Sequence, residues 1–304
     1  MLLTAIAAHT RVAVCLLPLA IMTFGNLAEA QPAEGEQRPL TWTHSSGTTF
    51  KLFPSGDVYP VYVADPHRPM NAITIMFYSK VRIEETDTPR SGLNAGGRFG
   101  ILRIDSGKPG GRSWQVSINA GLDAVFDSQH RLDAIGWDGN YGLTVTTATG
   151  GPFGFRVGVL HQSSHLGDEY AARTGRERIN YTREEVALGV SWRILTRLRA
   201  YGETGVQYIG RSEAQEPWRI QAGLEYESRP KLWGGRFAWY AAGDFSSMEE
   251  RDWRLDNAFQ AGIVTRSDGR TYRLGVGWTD GRPPMGEFSF FTERWLTFGF
   301  WIDL

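Results

Sequence analysis

From about residue 71 to its end the chain alternates between two unlike sets of side chains. "WQVSINAGLDAVF" puts Trp114, Val116, Ile118, Ala120, Leu122, Ala124 and Phe126 on one side. Gln115, Ser117, Asn119, Gly121 and Asp123 fall on the other. "WRIQAGLEY" repeats this, with Trp218, Ile220, Ala222, Leu224 and Tyr226 against Arg219, Gln221, Gly223 and Glu225. So do "IGWDGNYGLTV", "WRLDNAFQAGI" and "YRLGVGW". A period of two places successive side chains on opposite faces of a strand. A chain built this way must set one sheet face against apolar surroundings and the other against polar ones, and helical periodicity is scarce.

The alternating segments fall near 71–82, 93–105, 113–126, 132–147, 152–163, 179–194, 198–210, 217–228, 236–246, 253–265, 271–279 and 287–303. That is about twelve strands, an even number that suits a bacterial outer-membrane barrel. One set of connections holds the tight "TATGGP", "ILTR" and "RSDGR", with "DSGKPGGR" and "ESRPKLWGG" longer. The other holds "GRSEAQEP", "MEERD", "TDGRPPMG" and the long run from 164 to 178. Short turns at one end and long loops at the other are what such a barrel shows. A soluble sandwich also alternates. Here, however, the polar set carries full charges and glycines, as a crowded, watered lumen would. The apolar set carries Trp and Tyr near strand ends, as an aromatic girdle would. Closing the sheet removes its edges and lets every backbone group pair inside lipid. The expected fold is therefore all-β, a transmembrane antiparallel barrel over residues 71–304.

Residues 1–30 read as a secretory signal peptide. Arg11 precedes the apolar run "VAVCLLPLAIMTFG", and "LAEA" precedes Gln31, so cleavage is expected after Ala30. The only cysteine, Cys15, lies in this segment, which excludes a disulfide framework or a Cys-based metal site in the mature chain. Residues 31–70 carry prolines and little pattern. They are expected to form an irregular periplasmic segment outside the main fold. A net charge of −1 gives no argument for nucleic acid. The expected partners are outer-membrane lipids and, during insertion, the barrel assembly machinery. The final "TFGFWIDL" resembles the C-terminal recognition signal of bacterial outer-membrane proteins. Thr297, Gly299, Ile302 and Leu304 match it, although leucine replaces the commoner terminal aromatic.

One segment breaks the pattern. In "FGFRVGVLHQSSHLGDEY", Phe153, Phe155, Val157 and Val159 share a face, and counting on by twos adds His161 and Ser163 to it. In "INYTREEVALGVSWRI", counting back from Val186 adds Glu184, Thr182 and Asn180 to the apolar face. The two segments are consecutive and antiparallel, so these groups come within cross-strand reach. A serine beside a histidine that is oriented by an amide or carboxylate is the arrangement that activates a hydroxyl nucleophile. On the outside of a barrel it would meet lipid, whose ester bonds lie at that depth. The alternative is that these polar groups sit where the strands leave hydrocarbon and simply bind headgroups, sugars or each other.

The His-x-Ser followed by an Asn on the next strand resembles outer-membrane phospholipase A, a barrel family of the same strand count. The resemblance implies His161 as base, Ser163 as nucleophile and Asn180 as orienting residue. That family depends on calcium, which implies Asp168 and Glu169 in the adjoining loop as candidate ligands. It follows its serine with Asn-Gly, whereas Ser164 and His165 follow here, and the spacing to Asn180 is longer. The pattern is also similar to that of the lipid A deacylases, smaller barrels in which a Glu completes His-x-Ser; Glu184 would be its analogue. "HQSSHLGDEY" and "LFPSGDVYPVYVADPHRP" resemble segments of an uncharacterised family of bacterial outer-membrane proteins, over most of the mature chain. Against the lipid-esterase reading stands a non-catalytic barrel, a narrow channel or a structural envelope protein. The inward charges Arg156, Glu203, Arg219, Glu225, Arg254, Asp256 and Arg273 carry both signs. They are expected to pack the lumen as salt bridges first and to act as a selectivity filter second.

Overall fold

The computed structural model describes residues 40–86, 88–210, 215–267 and 269–304. The expected signal segment, Cys15 and residues 31–39 lie outside the described residues. A short hairpin, β1 (Thr41–Thr43) and β2 (Thr49–Leu52), comes first. Twelve long strands follow: β3 (Asn71–Lys80), β4 (Arg90–Asp105), β5 (Ser113–Asp127), β6 (Asp133–Ala148), β7 (Phe153–Leu166), β8 (Thr182–Leu195), β9 (Leu198–Gly210), β10 (Trp218–Glu227), β11 (Ala238–Met248), β12 (Leu255–Ser267), β13 (Arg270–Gly281) and β14 (Glu293–Asp303). Each pairs antiparallel with its chain neighbours, and β14 pairs with β3, so the sheet closes. The β3–β4 seam is short, running from Ala72–Asn94 to Met76–Arg90. Beyond it β2 takes over as the partner of β4, from Leu52–Leu102 to Thr49–Asp105.

The strands match the alternating segments to within a few residues, with two informative differences. β7 runs on to Leu166, because Ser164 and Leu166 are buried inside the barrel although the local sequence is polar. β14 begins only at Glu293, because Gly286–Phe288 form a turn of 3-10 helix. Around the wall, Leu143, Phe155, Val157, Leu188, Ile220, Leu274 and Phe298 are exposed, while Gln115, Ser117, Asp138, Thr144, Glu203 and Gln221 are buried. This is the inverse of a soluble protein and fits a lipid-facing exterior. Exposed Trp137, Tyr141, Trp218 and Trp278 lie toward the long-loop end, and Trp114, Trp192 and Trp239 toward the end that holds the chain termini.

The lumen is filled by ion pairs. Arg219 bonds Glu185 at 2.5 Å and Glu203 at 2.7 Å, Arg156 reaches Glu203 at 3.1 Å, and Arg199 reaches Glu225 at 3.2 Å. Asp256 takes Arg251 at 2.5 Å, and Arg273 pairs with Asp303. Arg254 is the exception among the expected inward charges: it lies exposed in the turn before β12.

Residues 53–70 depart from the expectation of a segment outside the main fold. They are irregular, but they run through the barrel. Arg98 on β4 holds Asp57, and Tyr62 donates to Glu203 at 3.0 Å and stacks on Tyr201 at 3.9 Å between ring centroids. The Val63 amide donates to Glu225 at 2.7 Å, and Arg68 meets Asp303 at 2.8 Å. A barrel of this size has an interior wider than its own side chains fill easily, so a polar strap can occupy it. Pro54, Pro60, Pro66 and Pro69 lack the amide donors a further strand would need.

The long-loop end is capped. Met76, Tyr78, Ile83, Val125, Ile135, Leu166, Tyr170, Met285, Phe288 and Trp295 form one apolar cluster. Tyr170 comes from a short helix, α1 (Asp168–Thr174), which ends at Gly175 in the left-handed region, φ 68°. Burial pushes the Tyr170 phenol up to about 12, so it remains a donor, and it bonds the Glu84 carbonyl at 2.9 Å. Beneath the cap, Arg90 and Glu293 pair at 2.6 Å with both side chains at 0% exposure, and Arg90 lies over the Tyr78 ring.

Elsewhere on the inner wall, Gly262, Gly275 and Gly299 stand side by side on β12, β13 and β14. Trp301 lies against this row: a Cβ on Gly299 would meet its ring at 2.5 Å. A Cβ on Gly275 would meet the Ala261 carbonyl oxygen at 2.2 Å, a backbone atom that cannot swing away. Gly275→Ala should therefore cost about 1–3 kcal/mol, read as a lower urea midpoint for the refolded barrel.

Candidate functional site

β6, β7 and β8 bring three rows of side chains together on the outer face near the long-loop end. The tight turn between Ala148 and Phe153 sets the first register, so Tyr141 pairs with His161, Gly139 with Ser163 and Trp137 with His165. On the other side His161 pairs with Glu184 and Ser163 with Thr182. Parity follows the alternation: Phe153, Phe155, Val157 and Val159 below them on β7 are exposed, while Gly158, and Ser164 further along, are buried on the opposite face.

The His161 ring is fixed on two sides. It stacks on Tyr141 with centroids 4.1 Å apart and planes 20° from parallel. Its Nδ1 lies 2.5 Å from Glu184 Oε1. The side chains of His161 and Glu184 are 12% and 23% exposed, so the pair is largely covered. A carboxylate on an apolar face is costly unless partnered, and here the imidazole N–H supplies the partner. With Nδ1–H donating to Glu184, the tautomer assigned from this contact leaves the Nε2 lone pair free to accept a proton. A β-bulge helps set the carboxylate. Glu184 pairs with Ile209 and Glu185 with Gln207, so Tyr208 is the extra residue on β9. Such bulges re-aim neighbouring side chains.

Ser163 sits over Gly139, its Oγ 3.3 Å from where a Cβ on that glycine would stand. Among the described residues its hydroxyl makes no hydrogen bond. Beyond it, His165 stacks on Trp137 at 4.1 Å. The serine is thus flanked along its strand by two imidazoles, each lying on an aromatic ring of β6. Neither those rings nor Gly139 was singled out from the sequence as part of a site, although the register of the tight turn contains the information.

The other candidates lie elsewhere. Asn180 is exposed, with φ 53°, just before β8; its amide N–H donates to Glu287 at 2.8 Å. No contact among the described residues brings its side chain to His161. Asp168 and Glu169 begin α1 and are exposed, and Asp168 is paired with Arg178. No cluster of three or more His, Cys, Asp or Glu suited to a metal ion occurs among the described residues.

A closed, antiparallel, twelve-stranded barrel with an apolar exterior and a charged interior is a β-barrel of the outer-membrane type. Its fold is similar to that of outer membrane phospholipase A from Escherichia coli, with a TM-score of 0.50 and 10% identity, covering 77% of this chain and 90% of that one. The calcium-bound dimer of the Salmonella typhi outer membrane phospholipase gives a TM-score of 0.52 at 11% identity, covering 81% and 94%. At these identities the likeness is one of fold. No curated protein matched the sequence. The chain belongs to the family described as "Protein of unknown function (DUF1207)", whose model matches residues 24–302.

Proposed function

We propose that this protein is an outer-membrane lipid esterase in which Ser163 is the nucleophile, His161 the general base and Glu184 the residue that orients the imidazole. The observation that carries this reading is the 2.5 Å contact between His161 Nδ1 and Glu184 on the apolar exterior, with a free hydroxyl two residues along the same strand. The chain termini then lie on the periplasmic side. Ser163 stands ten residues up β7 from Phe153, which at about 3.3 Å per residue and a tilt of about 40° is roughly 25 Å of height. That is the depth of the outer-leaflet ester and headgroup zone, where the acyl chains of a bound lipid remain beside Val157, Val159 and Leu143.

The proposed reaction requires the Ser163 hydroxyl, which makes no hydrogen bond among the described residues, to turn toward His161 Nε2 when lipid binds. Ser163 Oγ attacks the ester carbonyl and its proton passes to His161 Nε2. The tetrahedral adduct collapses, and the leaving alcohol takes that proton. Water then attacks the acyl-serine, His161 again receives a proton, and fatty acid departs as Ser163 recovers its hydrogen. Glu184 stabilises the imidazolium formed in each half.

The rival reading, a narrow channel, meets a lumen crossed by the strap 53–70 and tied by the Arg219, Glu185 and Glu203 pairs. Refolded protein should release fatty acid from phospholipid vesicles, and planar bilayers containing it should carry no steady current. Steady conductance without hydrolysis would reverse the assignment.

A further inference from the structure

The end of the lumen that holds the chain termini contains a cavity of about 290 Å³ with no counterpart in the chemistry proposed above. Its roof is the strap, at Pro60, Val61 and Val63. Its charged lining is five arginines (Arg193, Arg197, Arg199, Arg266 and Arg273) against two glutamates, Glu225 and Glu227. The glutamates are already engaged: Arg199 meets Glu225 at 3.2 Å and Arg266 meets Glu227 at 2.5 Å. Arg273 is paired with Asp303, which also takes Arg68. Arg193 and Arg197 make no ion pair among the described residues.

Two details go beyond the count. Arg193 on β8 and Arg199 on β9 are direct cross-strand partners. Like charges opposed in this way destabilise a sheet unless something negative sits between or beside them. Tyr240 lines the same cavity at 4% exposure, and its hydroxyl is a buried donor without a partner. Arg199 Nε and Nη2 are also unbonded. Buried donors normally find acceptors. Here the wall offers surplus cationic donors and a phenol, the strap closes the inner side, and the outer side faces the compartment beyond the short turns.

We propose that this cavity is a binding site for a phosphate group, held by Arg193 and Arg197 with Tyr240 donating from the wall. A tetrahedral phosphate anion supplies both the missing negative charge and the acceptors, and arginine matches its oxygens in paired hydrogen bonds. The group could belong to a soluble phosphate compound or to the headgroup of a phospholipid at the rim, and the two sources are separable by experiment. The site does not depend on Ser163 or its chemistry.

The test uses full-length protein in phosphate-free dodecyl maltoside micelles, titrated with inorganic phosphate and followed calorimetrically against sodium chloride of equal ionic strength. Saturable binding is expected, weakened at least tenfold in Arg193→Gln/Arg197→Gln and severalfold in Tyr240→Phe. Both positions of the double variant lie at the solvent-facing rim; retained heat-modifiable migration on gels shows that the barrel is intact. Repeating the titration in phosphatidylglycerol nanodiscs identifies the source. Suppressed binding there assigns the site to a lipid headgroup, and unchanged binding assigns it to a soluble phosphate. No saturable binding in the phosphate-free micelles, or equal binding by the folded double variant, would overturn the proposal.

Discussion

Ser163→Ala should abolish fatty-acid release from phospholipid vesicles, lowering kcat by about 10³-fold or more. Removing the nucleophile of such a constellation leaves only what positioning and polarisation supply. His161→Ala should cost about as much, because a serine without its base is no nucleophile at neutral pH. Glu184→Gln is the more discriminating change. It keeps the size of the side chain and a hydrogen-bonding partner for the ring but removes the charge that stabilises the imidazolium, so a smaller loss, about 10-fold to 10²-fold, is expected. Asn180→Ala should leave the rate within about threefold of wild type, since its side chain is placed away from the imidazole. Initial rates on refolded protein, each variant checked for barrel formation by heat-modifiable migration, decide among these. Equal loss in all four would indicate a shared structural role instead.

The second large effect concerns the cap. Arg90→Met should destabilise the barrel by about 3–5 kcal/mol, because it leaves the fully buried Glu293 carboxylate without its cation. Glu293 also accepts the Arg82 and Ile83 amides, at 2.7 Å and 3.0 Å, which makes it the anchor of the loop above β3. Replacing both partners, Arg90→Met with Glu293→Leu, should restore part of the loss, since no unpaired charge then remains. Urea unfolding followed by tryptophan fluorescence measures both. A double variant no more stable than Arg90→Met alone would show that the cap is held by apolar packing and not by this pair.

How much of this was readable beforehand depends on which interactions decide each part. The wall was legible because its requirement is local: a lipid-facing strand must alternate, and from Trp114 to Phe126 it does so without interruption. Parity carried the argument as far as His161, Ser163 and Glu184 on one outer face. The partner of the imidazole needed more. Asn180 and Glu184 share a parity in the sequence, and only the β7–β8 register separates them, placing Glu184 opposite His161 while the chain turns away at Asn180 with positive φ. Tyr141 was recoverable in principle: counting seven residues each way from the Ala148–Gly154 pair arrives at Tyr141 and His161. The strap was not legible, because residues 53–70 have no period and are held by contacts such as Tyr62–Glu203 between groups 141 positions apart. Proline there signalled the absence of a strand, which is correct, but it carries no information about inside or outside. Arg254 shows the same limit at a strand tip, where parity ends with the strand itself.

The most direct measurement is covalent. Folded protein in nanodiscs, treated with a lipophilic fluorophosphonate and digested, should carry a single phosphonyl group on the peptide containing Ser163, and His161→Ala should remove the label while the barrel persists. An unmodified Ser163 in folded wild-type protein, or labelling indifferent to the imidazole, would contradict a catalytic role for this lipid-facing serine.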